Sequence, residues 1–318
     1  MLGLEYFNFT AVWSPVFLAF MLLATAGYFV LIGPGGEKWA QGDSRVPVGR
    51  KILFVAGMLL LYLAQGGPVE LLGHVMFSFH MLSMALSYLL APPLLMLGLP
   101  PWVWRRVIAY LGVSPLRRLK VFARPVVAAV VFNGLFSFYH LPVVHDYVML
   151  HFGVHRLYYI VLFIAAVLMW WTLVNPLPER AGVQGLKKMG FIFLNMVLLT
   201  PACGLIIFAD EPLYATYSDP AIWARAMGYC VAGDPALLLR QFGGPQFFGY
   251  LEPDIDQQVG GILMKFIQEF IFASMLAYVF FQWYKQENRE NAEEEEEGTL
   301  GSELANAQLN PPPPQTGS

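Results

Sequence analysis

Imidazole is the commonest side-chain ligand for transition metals and titrates near neutral pH. This 318-residue chain keeps all six of its histidines between residues 74 and 155: His74, His80, His140, His145, His151 and His155. His80 is followed four residues later by Met84. On a helix that spacing puts a nitrogen donor and a thioether on one face, a pairing that suits Cu(I). His74 and His80, six residues apart, would lie roughly 120° from one another on a continuous helix and need not share a face. His151 and His155 are an i, i+4 pair able to chelate one ion from a single helix, provided that helix starts before Gly153. The spacings of hydrolytic zinc sites, His-Glu-x-x-His or paired Cys-x-x-Cys, are absent. A candidate oxygen donor, Asp256, lies in Glu252-Pro-Asp254-Ile-Asp256-Gln257-Gln258, whose carboxylates could ligate a metal, partner a histidine N–H, or form an exposed acidic loop.

The elements that must hold these side chains are membrane helices. Apolar residues make up 57% of the chain and charged residues 13%, against about 25% charged in soluble domains. Runs of about 20 apolar residues match the hydrocarbon thickness of a bilayer. The sequence predicts an all-α, polytopic bundle of seven spans near residues 12–32, 52–72, 74–97, 126–140, 154–174, 189–208 and 259–283, with six as the fallback count. Gly66-Gly67-Pro68 interrupts the second run, and the fourth is short. The first apolar run has no basic segment before it and reads as a retained helix rather than a cleaved leader.

Charge sets the expected orientation. Lys38, Arg45, Arg50 and Lys51 follow span one; Arg105, Arg106, Arg117, Arg118, Lys120 and Arg124 follow span three. Arg180, Lys187 and Lys188 follow span five, and Lys285 and Arg289 follow span seven. The opposite side carries only Arg225 and Arg240, in its long loop. The positive-inside rule then places the N-terminus outside and the C-terminus in the cytoplasm. With that orientation all six histidines reach the outer face. Within the spans, Lys265 and Glu269 are four apart on span seven and suit an ion pair, while Arg156 follows His155.

The remaining segments have simpler readings. Pro100-Pro101-Trp102-Val103-Trp104-Arg105-Arg106 fits a short interfacial helix. Gly260-Gly261 permits close helix packing. The chain divides into a bundle over 1–285 and an acidic, Pro-rich tail over 286–318, expected to be disordered. Cys203 is either a buried core residue or one half of a disulfide with Cys230.

Three segments carry a resemblance to a known family. His80-Met81-Leu82-Ser83-Met84 precedes Pro92-Pro93-Leu94-Leu95-Met96-Leu97-Gly98-Leu99-Pro100; His140-Leu141-Pro142 precedes His151 and His155; and Asp256-Gln257-Gln258-Val259-Gly260-Gly261 opens the last span. In these the chain resembles the CtaG family of caa-type cytochrome c oxidase assembly factors, multi-span proteins of Bacillus-like bacteria, over roughly residues 10–285. The resemblance implies a non-enzymatic, multi-pass protein of a bacterial plasma membrane needed to build a haem–copper oxidase. Some relatives have histidine where Met84 stands here, so the donor set of this chain is softer.

Together these readings predict an outward His/Met cluster that binds copper as Cu(I) and delivers it to an oxidase subunit. The preferred ligands are His80, Met84, His140, His151 and His155, with His74, His145 and Asp256 as second choices. The expected partners are oxidase subunits and the lipid bilayer, with no nucleic acid. One alternative is an assembly scaffold whose histidines only stabilise outer turns. Another is a membrane enzyme or transporter. Against the latter, the inner halves of the spans are almost free of ionisable groups, and no nucleophile–base pair is evident.

Overall fold

The computed structural model describes residues 3–33, 46–113, 121–122, 124–177, 182–228, 231 and 234–309. Among them there is no strand, and six helices are long and apolar enough to cross a membrane. They are α1 (Pro15–Ile32), α2 (Val48–Gln65, continued by α3, Pro68–Gly73), α4 (Phe77–Gly98), α8 (Phe152–Val174), α9 (Gly185–Ile207) and α12 (Pro253–Leu309). The short fourth run explains itself: α6 (Pro125–Tyr139) is bent by 79° against α7 (Pro142–Met149), and counting that pair as one span gives seven. Pro142, which cannot continue a helix from its interior, starts the new direction. An amphipathic helix, α5 (Pro101–Val113), occupies the predicted interfacial segment.

Helices α4, α8, α6, α9 and α12 contact one another in that cyclic order, with α2 buttressing α4 and α1 outermost against α2. The ring encloses an apolar core in which Met81, Met84, Phe132, Phe136, Leu162, Met169, Leu199 and Met264 are almost wholly buried. Close approach is built in where glycine was expected to allow it. A Cβ on Gly260 would stand 3.0 Å from Ser78 Cα in α4, and one on Gly261 would stand 2.8 Å from Ile207 Cγ1 in α9.

Prolines free carbonyls that the fold then satisfies. Pro92 has no N–H to give the carbonyl four residues back, and the Trp170 indole of α8 donates to that oxygen, on Tyr88, at 2.9 Å. The same stretch, Ala85–Leu90, relaxes into a π-turn inside α4. Pro68 likewise leaves the Ala64 carbonyl open, and the Ser83 hydroxyl donates to it at 2.8 Å. Each such bond replaces a buried unpaired carbonyl, worth about 1–3 kcal/mol. Between α6 and α9, the Asn133 amide donates to Asn195 Oδ1 at 2.9 Å.

One expectation changes. The third span begins at Phe77, not at residue 74, so His74 and His80 do not share a helix and the 120° relation between them lapses. The reason is a helix cap from far along the chain. Asp256 of α12 accepts from Phe77 N at 2.6 Å, from Ser78 N at 3.3 Å and from the Ser78 hydroxyl. Helix α12 runs on to Leu309 with i, i+4 pairs such as Arg289–Glu293 at 2.7 Å. Beyond Trp283 its described side chains are exposed. Cys203 is buried with a free thiol, whereas Cys230 lies outside the described residues.

Candidate functional site

The histidine end of the bundle is assembled from five elements. The first turn of α4 presents His80; the α6–α7 bend presents His140; α7 presents His145; and the segment Gly73–Met76, ahead of the Asp256 cap, presents His74 beside His155 of α8. Two separate groups result.

The first group is His80, His140 and His145, each 3% exposed or less. The His80 ring centroid lies 5.1 Å from that of His145 and 6.0 Å from that of His140. Tyr139, Tyr214 and Tyr217 wall the group, with His145 4.6 Å from Tyr214 and His80 5.6 Å from Tyr139 between centroids. His140 Nδ1 lies 2.8 Å from its own-helix carbonyl, Phe136 O. A bond there puts the proton on Nδ1 and leaves the Nε2 lone pair free, the tautomer in which a ring can ligate through Nε2. The Nε2 atoms of His80 and His140 and both ring nitrogens of His145 are buried without a hydrogen-bond partner. A buried unpaired polar atom costs about 1–3 kcal/mol, so this concentration of them is unusual for a purely structural core.

The second group is His74 and His155, with ring centroids 5.6 Å apart. His74 Nδ1 is 2.9 Å from the Glu70 carbonyl, and burial pushes the imidazole's pKa down, partly opposed by the Glu70 carboxylate. His155 packs against Tyr159 with ring centroids 4.1 Å apart and the planes tilted, and it has an unpartnered Nε2. Beside them the half-exposed Arg156 reaches the buried Glu70 carboxylate at 3.3 Å. Tyr139 links the groups: its hydroxyl donates to Met149 Sδ at 3.7 Å and lies 3.3 Å from the Tyr159 hydroxyl.

The other expected ligands fall as follows. Met84 is fully buried one turn below His80. His151 stands apart: it is exposed at the N-cap of α8, its Nδ1 is 2.7 Å from Tyr147 O, and its ring stacks on Tyr147 at 4.1 Å. The i, i+4 relation to His155 therefore does not bring the two rings into one pocket, because the helix begins between them. Asp256 has both carboxylate oxygens committed to the start of α4. Asp146, which the sequence reading passed over, does the same job elsewhere. It accepts from Ala215 N and Thr216 N, both at 3.1 Å, and from the Thr216 hydroxyl, while staying 3.7 Å from His145 Nδ1. Tyr214 and Tyr217 were also missed; their hydroxyls donate to His140 O at 2.8 Å and Gly73 O at 2.6 Å, and burial raises both phenols' pKa. The only sequence signal for any of these was the His145-Asp146 adjacency.

Among the described residues no three His, Cys, Asp or Glu side chains already stand in metal-holding positions.

Comparison with known proteins gives one family. The model of the cytochrome c oxidase caa3 assembly factors matches residues 26–286. Two curated relatives, uncharacterized proteins of Mycobacterium bovis and Mycobacterium tuberculosis, are each 26% identical over 193 residues. The match covers 55% of this chain and 29% of theirs, so it spans under a third of the relatives' length. No solved structure matches.

Proposed function

The chain belongs to the cytochrome c oxidase caa3 assembly factor family, and on that premise we propose that it matures a caa-type haem–copper oxidase by holding Cu(I) in transit. His80, His140 and His145 are the nitrogen donors in this reading, with the Met84 thioether in reserve. The observation that carries it is the set of buried imidazole nitrogens without partners, gathered around His80. A donor set of two or three imidazoles and a thioether suits a soft monovalent ion. The aromatic walls keep water from competing. Copper supplies the cargo for the oxidase; the residues of this chain bind it, exclude solvent and release it. The role is non-catalytic, the location a bacterial plasma membrane, and the partner an oxidase subunit whose copper centre forms on the histidine side.

The lack of a ready-made ligand triad favours a second reading, in which the protein is a scaffold and the histidines only pack. Titration of the purified full-length protein with Cu(I) under reducing conditions, against a competing chromophoric chelator, separates them. Retention of one copper per chain, weakened tenfold or more by His80→Ala, supports transit. No retention by the intact protein removes the copper step. The assembly role is tested independently, by the copper and haem content of the oxidase in cells lacking this protein.

A further inference from the structure

An ion pair sits where lipid would be expected. Lys265 Nζ contacts Glu269 Oε1 and lies 2.8 Å from the Thr200 hydroxyl of α9. The Lys265 side chain is 27% exposed and that of Glu269 39%, so neither is sealed between helices. At about 1.5 Å per residue, Lys265 lies about 13 Å and Glu269 about 20 Å past Asp256, which marks the histidine end of α12. Within a hydrocarbon layer about 30 Å thick, this is the middle. A lysine near a membrane surface normally turns its ammonium toward the headgroups; this one points deeper, along the helix to Glu269. Two further polar features open on the same strip. Pro201 gives no N–H to the Val197 carbonyl four residues back, and Gly204 has open space where a Cβ would stand. Around them Phe266, Phe270 and Val197 are exposed and apolar.

Exposed charge at this depth is costly unless another polar group covers it. A small residue on a membrane-helix face, here Gly204 with nothing near its Cβ position, admits a helix backbone at close range. A second copy brought by a two-fold axis along the membrane normal would set each lysine level with its own kind. We propose that the α9–α12 strip centred on Lys265, Glu269 and Thr200 is the docking face for a membrane-spanning helix of a different protein. That helix is apolar overall and presents a hydrogen-bonding side chain, such as Ser, Thr, Asn or Gln, to the ion pair. This goes beyond the copper reading and does not depend on it.

The test is photo-crosslinking of the full-length protein in native membranes, with a benzophenone amino acid at Phe266 and, as control, at Phe20 on α1. The expected result is a heterologous adduct from position 266 only, mapped by mass spectrometry to a membrane-spanning segment carrying such a polar residue. Its yield falls at least fivefold in Lys265→Leu/Glu269→Leu, which melts in detergent no lower than the parent. Should that variant fold poorly, Lys265→Gln/Glu269→Gln serves with the same expected loss. Adducts to lipid alone, to a second copy alone, or at a yield indifferent to either double variant would overturn the proposal.

Discussion

The two histidine groups sit one tyrosine apart and differ in what surrounds them. His80, His140 and His145 are packed among aromatic rings, and the Nε2 atom of each is without a hydrogen-bond partner. His74 and His155 lie beside a full ion pair, Glu70–Arg156, one member of which is 43% exposed. A soft cation entering the first group would meet imidazoles walled by aromatic rings, with the Asp146 carboxylate 3.7 Å from His145 Nδ1; one approaching the second would meet the Glu70–Arg156 ion pair. The difference teaches that burial of imidazole alone does not identify a binding site. The groups differ in number, with four unpartnered ring nitrogens in the first and one, His155 Nε2, in the second.

That contrast can be broken or sharpened by substitution. The largest effect is expected from Asp256→Ala, which leaves the Phe77 and Ser78 N–H groups uncapped beside His80. It should lower stability by about 2–4 kcal/mol, read as a fall in detergent melting temperature, with Asp256→Asn recovering part of it. If the melting temperature does not move, the start of α4 is not held as described. His80→Ala should next weaken Cu(I) binding at least tenfold, about 1.4 kcal/mol, while His155→Ala weakens it less; the reverse order would exchange the roles of the two groups. Arg156→Leu strands the Glu70 carboxylate and should cost about 1–2 kcal/mol, discounted for the solvent that already screens the arginine. Acid should act through the second group as well. Because the folded protein holds His74 below its ordinary pKa, the unfolded chain binds more protons as pH drops below about 6.5. The contribution is present above that pH and lost below it, so His74→Gln should flatten the acid side of a melting-temperature profile. His151→Ala is expected to change stability by less than about 0.5 kcal/mol and copper binding not at all.

Much of the scaffold was legible because bilayer thickness and the 1.5 Å rise leave little freedom. The apolar runs gave the spans to within a few residues, and Gly66-Gly67-Pro68 showed where the second would break. The Gly260-Gly261 pair signalled the close crossing of α12 on α4 and α9. What escaped was whatever depended on distant partners. No local pattern says that α4 starts at Phe77, because the carboxylate that caps it is 179 positions away. Nor does spacing separate His151 from His155, since that turns on where α8 begins and on Tyr147 claiming the first ring. Histidine clustering by face was readable from charge bias. Partition into two pockets required the 79° bend between α6 and α7, which swings His145 in beside His80.

The Asp256 cap also imposes an order on biogenesis. Helix α4 leaves the ribosome long before α12, so the first turn that carries His80 waits uncapped while the intervening helices are made. The histidines of the first group are all synthesised by residue 145, yet their setting closes only when the last span arrives and its carboxylate reaches back. A chain interrupted anywhere between those points would carry every imidazole and still lack the finished pocket. The setting of these imidazoles is therefore a product of the whole bundle and not of the stretch that encodes them.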